Sequence, residues 1–241
     1  MKKHSSVFLL AVRCTVYRLL TVLLVLLACD AAIFLSAARA GAALPDIYDM
    51  TFPLVGLHAL RSVYQVCLMA LAFWLTAALS QTQCAPLIRR LRVPEWELVA
   101  WFALADVLAL FALWFWQGAI LTGFSLAVLG SEADPMLMVL AAFRDRFVHS
   151  ILPFEDLLML FRQVSFCVSL GVCAACSSAR MRLGKSFQPL VGQAVWIALC
   201  MGLADVGSFW MVVQGVIALI ILWACVRSLA SGWKEEYSNA E

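Results

Sequence analysis

Six apolar runs restrict what this chain can fold into more than any other feature: residues 19–38, 57–80, 96–118, 154–177, 188–204 and 207–228. A helix that crosses a hydrocarbon core of about 30 Å needs about 20 predominantly apolar residues, because every backbone amide and carbonyl must be satisfied within the segment where water is missing. Five of the runs have that length and the fifth in order, 188–204, is shorter. Hydrophobic residues make up 64% of the 241 and charged residues 13%, against about 45–50% and about 25% in soluble domains. A water-soluble core could not hide so much apolar surface, so a soluble enzyme is excluded, and intrinsic disorder falls with it. The strands of a membrane barrel would alternate in polarity over about ten residues, whereas these runs are continuous. The expected fold is all-α: a polytopic helical membrane protein with six transmembrane helices, forming a single membrane domain over residues 1–241 and integral to the cell membrane.

Lysine and arginine set the orientation of such a chain. Twelve of the 17 basic residues fall on one side under the six-span reading: Lys2, Lys3, Arg13, Arg18, Arg89, Arg90, Arg92, Arg180, Arg182, Lys185, Arg227 and Lys234. The other side receives Arg39, Arg61, Arg144, Arg146 and Arg162. This bias predicts that both termini are cytoplasmic. A formal net charge of +2 leaves no footprint for nucleic acid. Lys2 and Lys3, the following apolar stretch and Ala38-Arg39-Ala40 resemble a cleaved signal peptide, but the apolar run exceeds the usual 7–15 residues and the basic region extends to Arg18, so retention is expected.

Outside the runs, Val7, Leu10, Cys14 and Tyr17 recur at helical spacing with Arg13 and Arg18 off that line. The first 18 residues therefore read either as an amphipathic helix on the inner surface or as the inner end of one long first helix. Pro94 with Glu95 and Glu97, and Pro153 with Glu155 and Asp156, mark helix starts, since proline lacks the orphan amide and acids favour the positive end of the dipole. The outer segment 119–153 begins apolar, turns at Gly130-Ser131, and continues as a short interfacial helix from Pro135 to about Val148. Asp205, Val206 and Gly207 form a tight turn between the last two spans.

Charge at membrane depth costs roughly 2.5–3.5 kcal/mol on insertion scales, which makes Asp30, Asp106 and Arg162 the candidates for a substrate path. Counting from the inner helix ends, Asp30 and Asp106 come out at similar mid-membrane depth with no cation beside them, and Arg162 nearer the outer face. Interhelical bonds that fix packing would account for the same three residues equally well. His58, Arg61 and Gln65 share one face at the outer end of the second span, and His149 lies in the outer segment. There is no H-E-x-x-H, G-x-S-x-G or Walker A sequence, so no enzyme, no metal and no cofactor within the chain are expected. Nine cysteines, among them Cys29, Cys67, Cys167, Cys173, Cys200 and Cys225 inside apolar runs, do not form a disulfide framework. Cys173-x-x-Cys176 lies in a span without a second pair, and the neighbouring Gly171, Ala174 and Ala175 suit close helix packing.

The second inner connection reads Ala85-Pro86-Leu87-Ile88-Arg89-Arg90-Leu91-Arg92-Val93-Pro94-Glu95-Trp96-Glu97-Leu98. Leu87, Leu91 and Leu98 form an apolar stripe beside a basic face. Here the chain resembles the ABC-2-type permeases, the membrane subunits of ABC exporters, whose second inner loop leads into the third span with a similar Leu- and Pro-containing motif. Val93-Pro94 inverts the family's more common Pro-Val order. Six spans, inside termini, a preceding amphipathic segment and a length near 240 match the same plan. The resemblance implies a permease subunit of an ABC-type exporter, working with a separate ATPase and a second permease chain in the lipid bilayer, with ATP used only through that ATPase. It also implies that Arg89, Arg90, Arg92 and Glu95 belong to the loop that couples to the ATPase. The alternative is a non-transporting multi-pass accessory, immunity or sensor protein, favoured by the small number of charges at depth.

Overall fold

The structure, a computed structural model, describes residues 2–39, 54–80, 93–129, 146–151, 156–182, 184, 188–202 and 207–238. These form α1 (Lys2–Arg39), α2 (Leu54–Ser80), α3 (Glu95–Leu129), α4 (Arg146–Ile151), α5 (Leu157–Arg182), α6 (Gln188–Gly202) and α7 (Ser208–Ser238), with no strand among the described residues. Five helices, α1, α2, α3, α5 and α7, are long and apolar enough to cross a membrane, so the chain is all-helical and membrane-spanning in character. The sixth expected span, 188–204, corresponds to α6, which is apolar but has 15 residues, about 22 Å of helix against a core of about 30 Å.

Contacts between helices fix their directions. Phe8 packs on Trp101 near the starts of α1 and α3, with ring centroids 5.5 Å apart, and Phe34 stacks on Phe124 toward their ends at 4.6 Å, so these helices are parallel. The helix between them is antiparallel: Arg18 donates to the Trp74 carbonyl at 2.8 Å, while Cys67 lies beside Cys29 and Asp30. α5 runs against α3, because Arg182 meets Glu95 at 3.5 Å and Gly171 meets Val107. It runs with α7, since Phe161 abuts Gly215 and Arg180 donates to Ser228. α6 runs against α5, with Gln193 donating to Ser169 and Cys200, later on α6, beside Arg162, earlier on α5. Direction thus alternates through α1, α2, α3, α5, α6 and α7, and the start of α1 shares one end of the bundle with the end of α7, hereafter the termini end. A reporter fused after Glu241 and one inserted near Ser131 are therefore expected on opposite sides of the membrane, as protease protection of each reporter would record. The same side for both would break the alternation.

Several boundaries depart from the sequence reading or decide between its alternatives. The N-terminal segment is one continuous 38-residue helix with the first span, not a separate surface helix. The third span does not stop at 118: residues 119–129, expected as the start of the outer segment, continue α3. Nothing in a run such as Ala119–Leu129 breaks a helix, and Gly123 has no side-chain demand that would end one. Most of the expected 135–148 helix lies outside the described residues, and its described remainder belongs to α4. That short helix is tied inward, with the Trp114 indole donating to the Ile151 carbonyl at 2.9 Å and Phe147 tilted on Tyr64 at 6.4 Å. Pro94 sits one position before α3, its carbonyl accepting from the amides of Glu97 and Leu98. Asp156 caps α5, its carboxylate accepting from the amides of Leu158 and Met159 at 2.9 and 3.2 Å.

α5 occupies the centre, packed by α2, α3, α6 and α7 and touched by α4. Its small and hydroxyl residues explain why. Gly171, Ala174, Ala175, Ser177, Ser178 and Ala179 are all buried, and small residues let neighbouring backbones come close where apolar attraction between helices is weak. Ser178 donates to the Thr76 carbonyl of α2 at 2.6 Å. The peripheral helices present the opposite character. α1 exposes Leu9, Tyr17, Leu24 and Leu35, and α7 exposes Phe209, Trp210, Ile220 and Trp223. Apolar surface on this scale is at home against lipid tails and not in water.

Candidate functional site

The polar side chains at membrane depth gather in three places. The largest group lies around the first turns of α5. Arg162, Gln163, Gln193 and Gln214 are buried there, drawn from α5, α6 and α7. The Arg162 guanidinium donates to the Gln214 side-chain oxygen at 3.4 Å, and the Gln163 amide donates to the Tyr64 hydroxyl of α2 at 3.3 Å. About two turns further on, the Gln193 amide donates to Ser169. The Trp196 indole donates to the Gln214 carbonyl at 3.4 Å and so keeps α6 against α7. Two buried atoms here have no partner, Arg162 Nε and Gln193 Oε1. Arg61, Asp156 and Cys200 stand close enough to Arg162 to act on its charge. The group can therefore present a cation and amide donors and acceptors to a polar or anionic solute inside the bundle.

Asp30 and Asp106 do not join it, and they do not join each other. Asp30, on α1, lies against Gln117 of α3. Gln117 is eleven residues past Asp106 on the same helix, about 16 Å. The similar depth inferred from counting is corrected by the length of α1: counted from Lys2 and not from residue 19, Asp30 falls toward the far end of the bundle. Asp106 instead feels the charge of Arg18 from α1, so a cation does stand at its depth. Arg18 belongs to the helix itself, and the helix is long enough to bring it level with Asp106.

At the termini end, Glu95 pairs with Arg182 across α3 and α5 at 3.5 Å. The pair is partly exposed and contributes about 0–1 kcal/mol. Arg89, Arg90 and Arg92 lie outside the described residues. Of the face expected to hold His58, Arg61 and Gln65, Arg61 and Gln65 are half-buried and the neighbouring Tyr64 is the fully buried residue. The Cys173 and Cys176 thiols share Cys225 of α7 as a hydrogen-bonding neighbour. Among the described residues no group of three histidine, cysteine or acidic side chains is arranged for a metal ion.

Charge alone guided the sequence reading, and it missed four buried glutamines: Gln117, Gln163, Gln193 and Gln214. The signal was present, since an amide in an apolar run needs a partner at membrane depth much as a charge does. No family model, no curated protein and no solved structure matches this chain.

Proposed function

We propose that this chain is the membrane-spanning permease subunit of an ABC-type exporter, driven by a separate ATPase and paired with a second permease chain in the cell membrane. The observation that carries the reading is the polar lining of α5. The most thoroughly buried of the spanning-length helices also carries a buried arginine and glutamine, with unpartnered polar atoms between α5, α6 and α7. Interhelical hydrogen bonds account for the partnered atoms of this group, but not for the buried Arg162 Nε and Gln193 Oε1 left without partners, which a route for a polar solute would use. In this reading α6 is the sixth crossing, short because it forms a hairpin with α7. Both termini are cytoplasmic, and residues 85–97 touch the ATPase beside the Glu95–Arg182 pair.

Charge reversal at Arg89, Arg90 and Arg92 together is expected to abolish co-purification with the ATPase while the chain still inserts with its normal topology. Retained co-purification would remove the coupling role. Inverted topology would instead assign the three arginines to orienting the chain. Failure of any ATPase to co-purify with the unaltered protein, combined with capture of another integral membrane protein, would favour the accessory or sensor reading.

A further inference from the structure

Asp30 and Gln117 form a site that the exporter reading does not use. Both are fully buried, at 0% exposure, where α1 meets α3. The two end groups lie against one another, yet none of the four polar atoms, Asp30 Oδ1 and Oδ2 and Gln117 Nε2 and Oε1, has a hydrogen-bonding partner. Four orphaned atoms in one contact are unusual, since buried polar groups are nearly always satisfied. An ionised Asp30 could accept from Gln117 Nε2 but would leave Oε1 without a donor and keep a charge at membrane depth. One added proton removes both defects. A carboxylic acid donates through one oxygen to the amide carbonyl and accepts through the other from the amide nitrogen, so each of the four atoms gains a partner. The last torsions of both side chains are broad, so the two planar end groups can turn toward one another.

We infer that Asp30 is a proton-binding site, and that its acid form pairs with the Gln117 amide to tie α1 to α3. The proton comes from water and no other bond changes. The other titratable groups beside Asp30 are the thiols of Cys67 from α2 and of Cys29 on α1 itself, while α3 contributes Gln117 there. Asp106 is about 16 Å away along α3. None of these neighbours brings a positive charge that would hold Asp30 ionised.

Infrared difference spectroscopy of the full-length protein in lipid provides the test. At mildly acidic pH the wild type is expected to carry a protonated-carboxyl carbonyl band that Asp30→Asn lacks, and raising the pH is expected to bleach that band. The asparagine amide can close the same two-bond ring without a proton, so Asp30→Asn should also flatten the fall of thermal stability that the wild type shows as pH rises. If Asp30→Asn does not accumulate, Gln117→Leu carries the test: the band should persist at the higher frequency of an acid without a partner. Absence of any carboxyl band assignable to Asp30, or a band unmoved in Gln117→Leu, would overturn the inference.

Discussion

Gly171→Val is expected to destabilise the protein more than any other single small-to-large change on α5. A Cβ at this position would lie 2.7 Å from Val107 Cγ2, 2.8 Å from Val107 N and 2.9 Å from Val107 Cα. The side-chain atom could turn away, but the two backbone atoms belong to α3 and move only with that helix. Overpacking of a filled interior typically costs about 1–3 kcal/mol, and separation of α3 from α5 puts this site at the upper end. Even Gly171→Ala should lower the midpoint of thermal unfolding in detergent. Gly215→Ala should cost less, because its nearest contact at 2.7 Å is the Phe161 ring, which can rotate. Gly123→Ala meets nothing within 4 Å and should be neutral or slightly stabilising, by about 0.5–1 kcal/mol from helix propensity. The order Gly171, Gly215, Gly123 in loss of midpoint checks the α3–α5 contact; equal effects at all three would mean that the contact is not close.

Arg162→Met is expected to abolish transport while leaving thermal stability at or above that of the wild type. Arg162 is buried, its Nε has no partner, and its hydrogen bond to Gln214 is long at 3.4 Å. Holding that charge inside the bundle is unfavourable, and replacing buried ionic groups with apolar ones of similar volume is often neutral or stabilising by about 1–4 kcal/mol. The variant leaves the Gln214 oxygen without a donor, an opposing cost of about 1–3 kcal/mol, so the two changes nearly offset. If the proposed permease function holds, the unfavourable charge of Arg162 serves contact with the transported solute. Export assayed beside unfolding midpoints separates the cases: lost stability with normal export per folded molecule would make Arg162 a packing residue.

How much of this was legible beforehand depends on how local each property is. The apolar runs, the helical class and the direction of the charge bias follow from hydropathy and lysine-arginine placement alone, because lipid imposes the same local demand on every crossing segment. Helix starts near Pro94 and near residues 153–156 were legible for the same reason: a cap acts within one turn. Other features depend on which helix faces which. Counting depth from the first apolar residue misplaced Asp30, because α1 begins at Lys2 and its register against α3 brings Gln117, and not Asp106, to its side. The same register sets Arg18 near Asp106, which no count along a single helix reveals. The buried position of α5 likewise needs three neighbours, α2, α6 and α7, to supply partners for Arg162, Gln163, Ser169 and Ser178. Helicity and a membrane-crossing character are thus written in the order of residues. The meeting of Asp30 with Gln117, or of Arg162 with Gln214, is not, since pairing at membrane depth is set by contacts between helices distant in the chain.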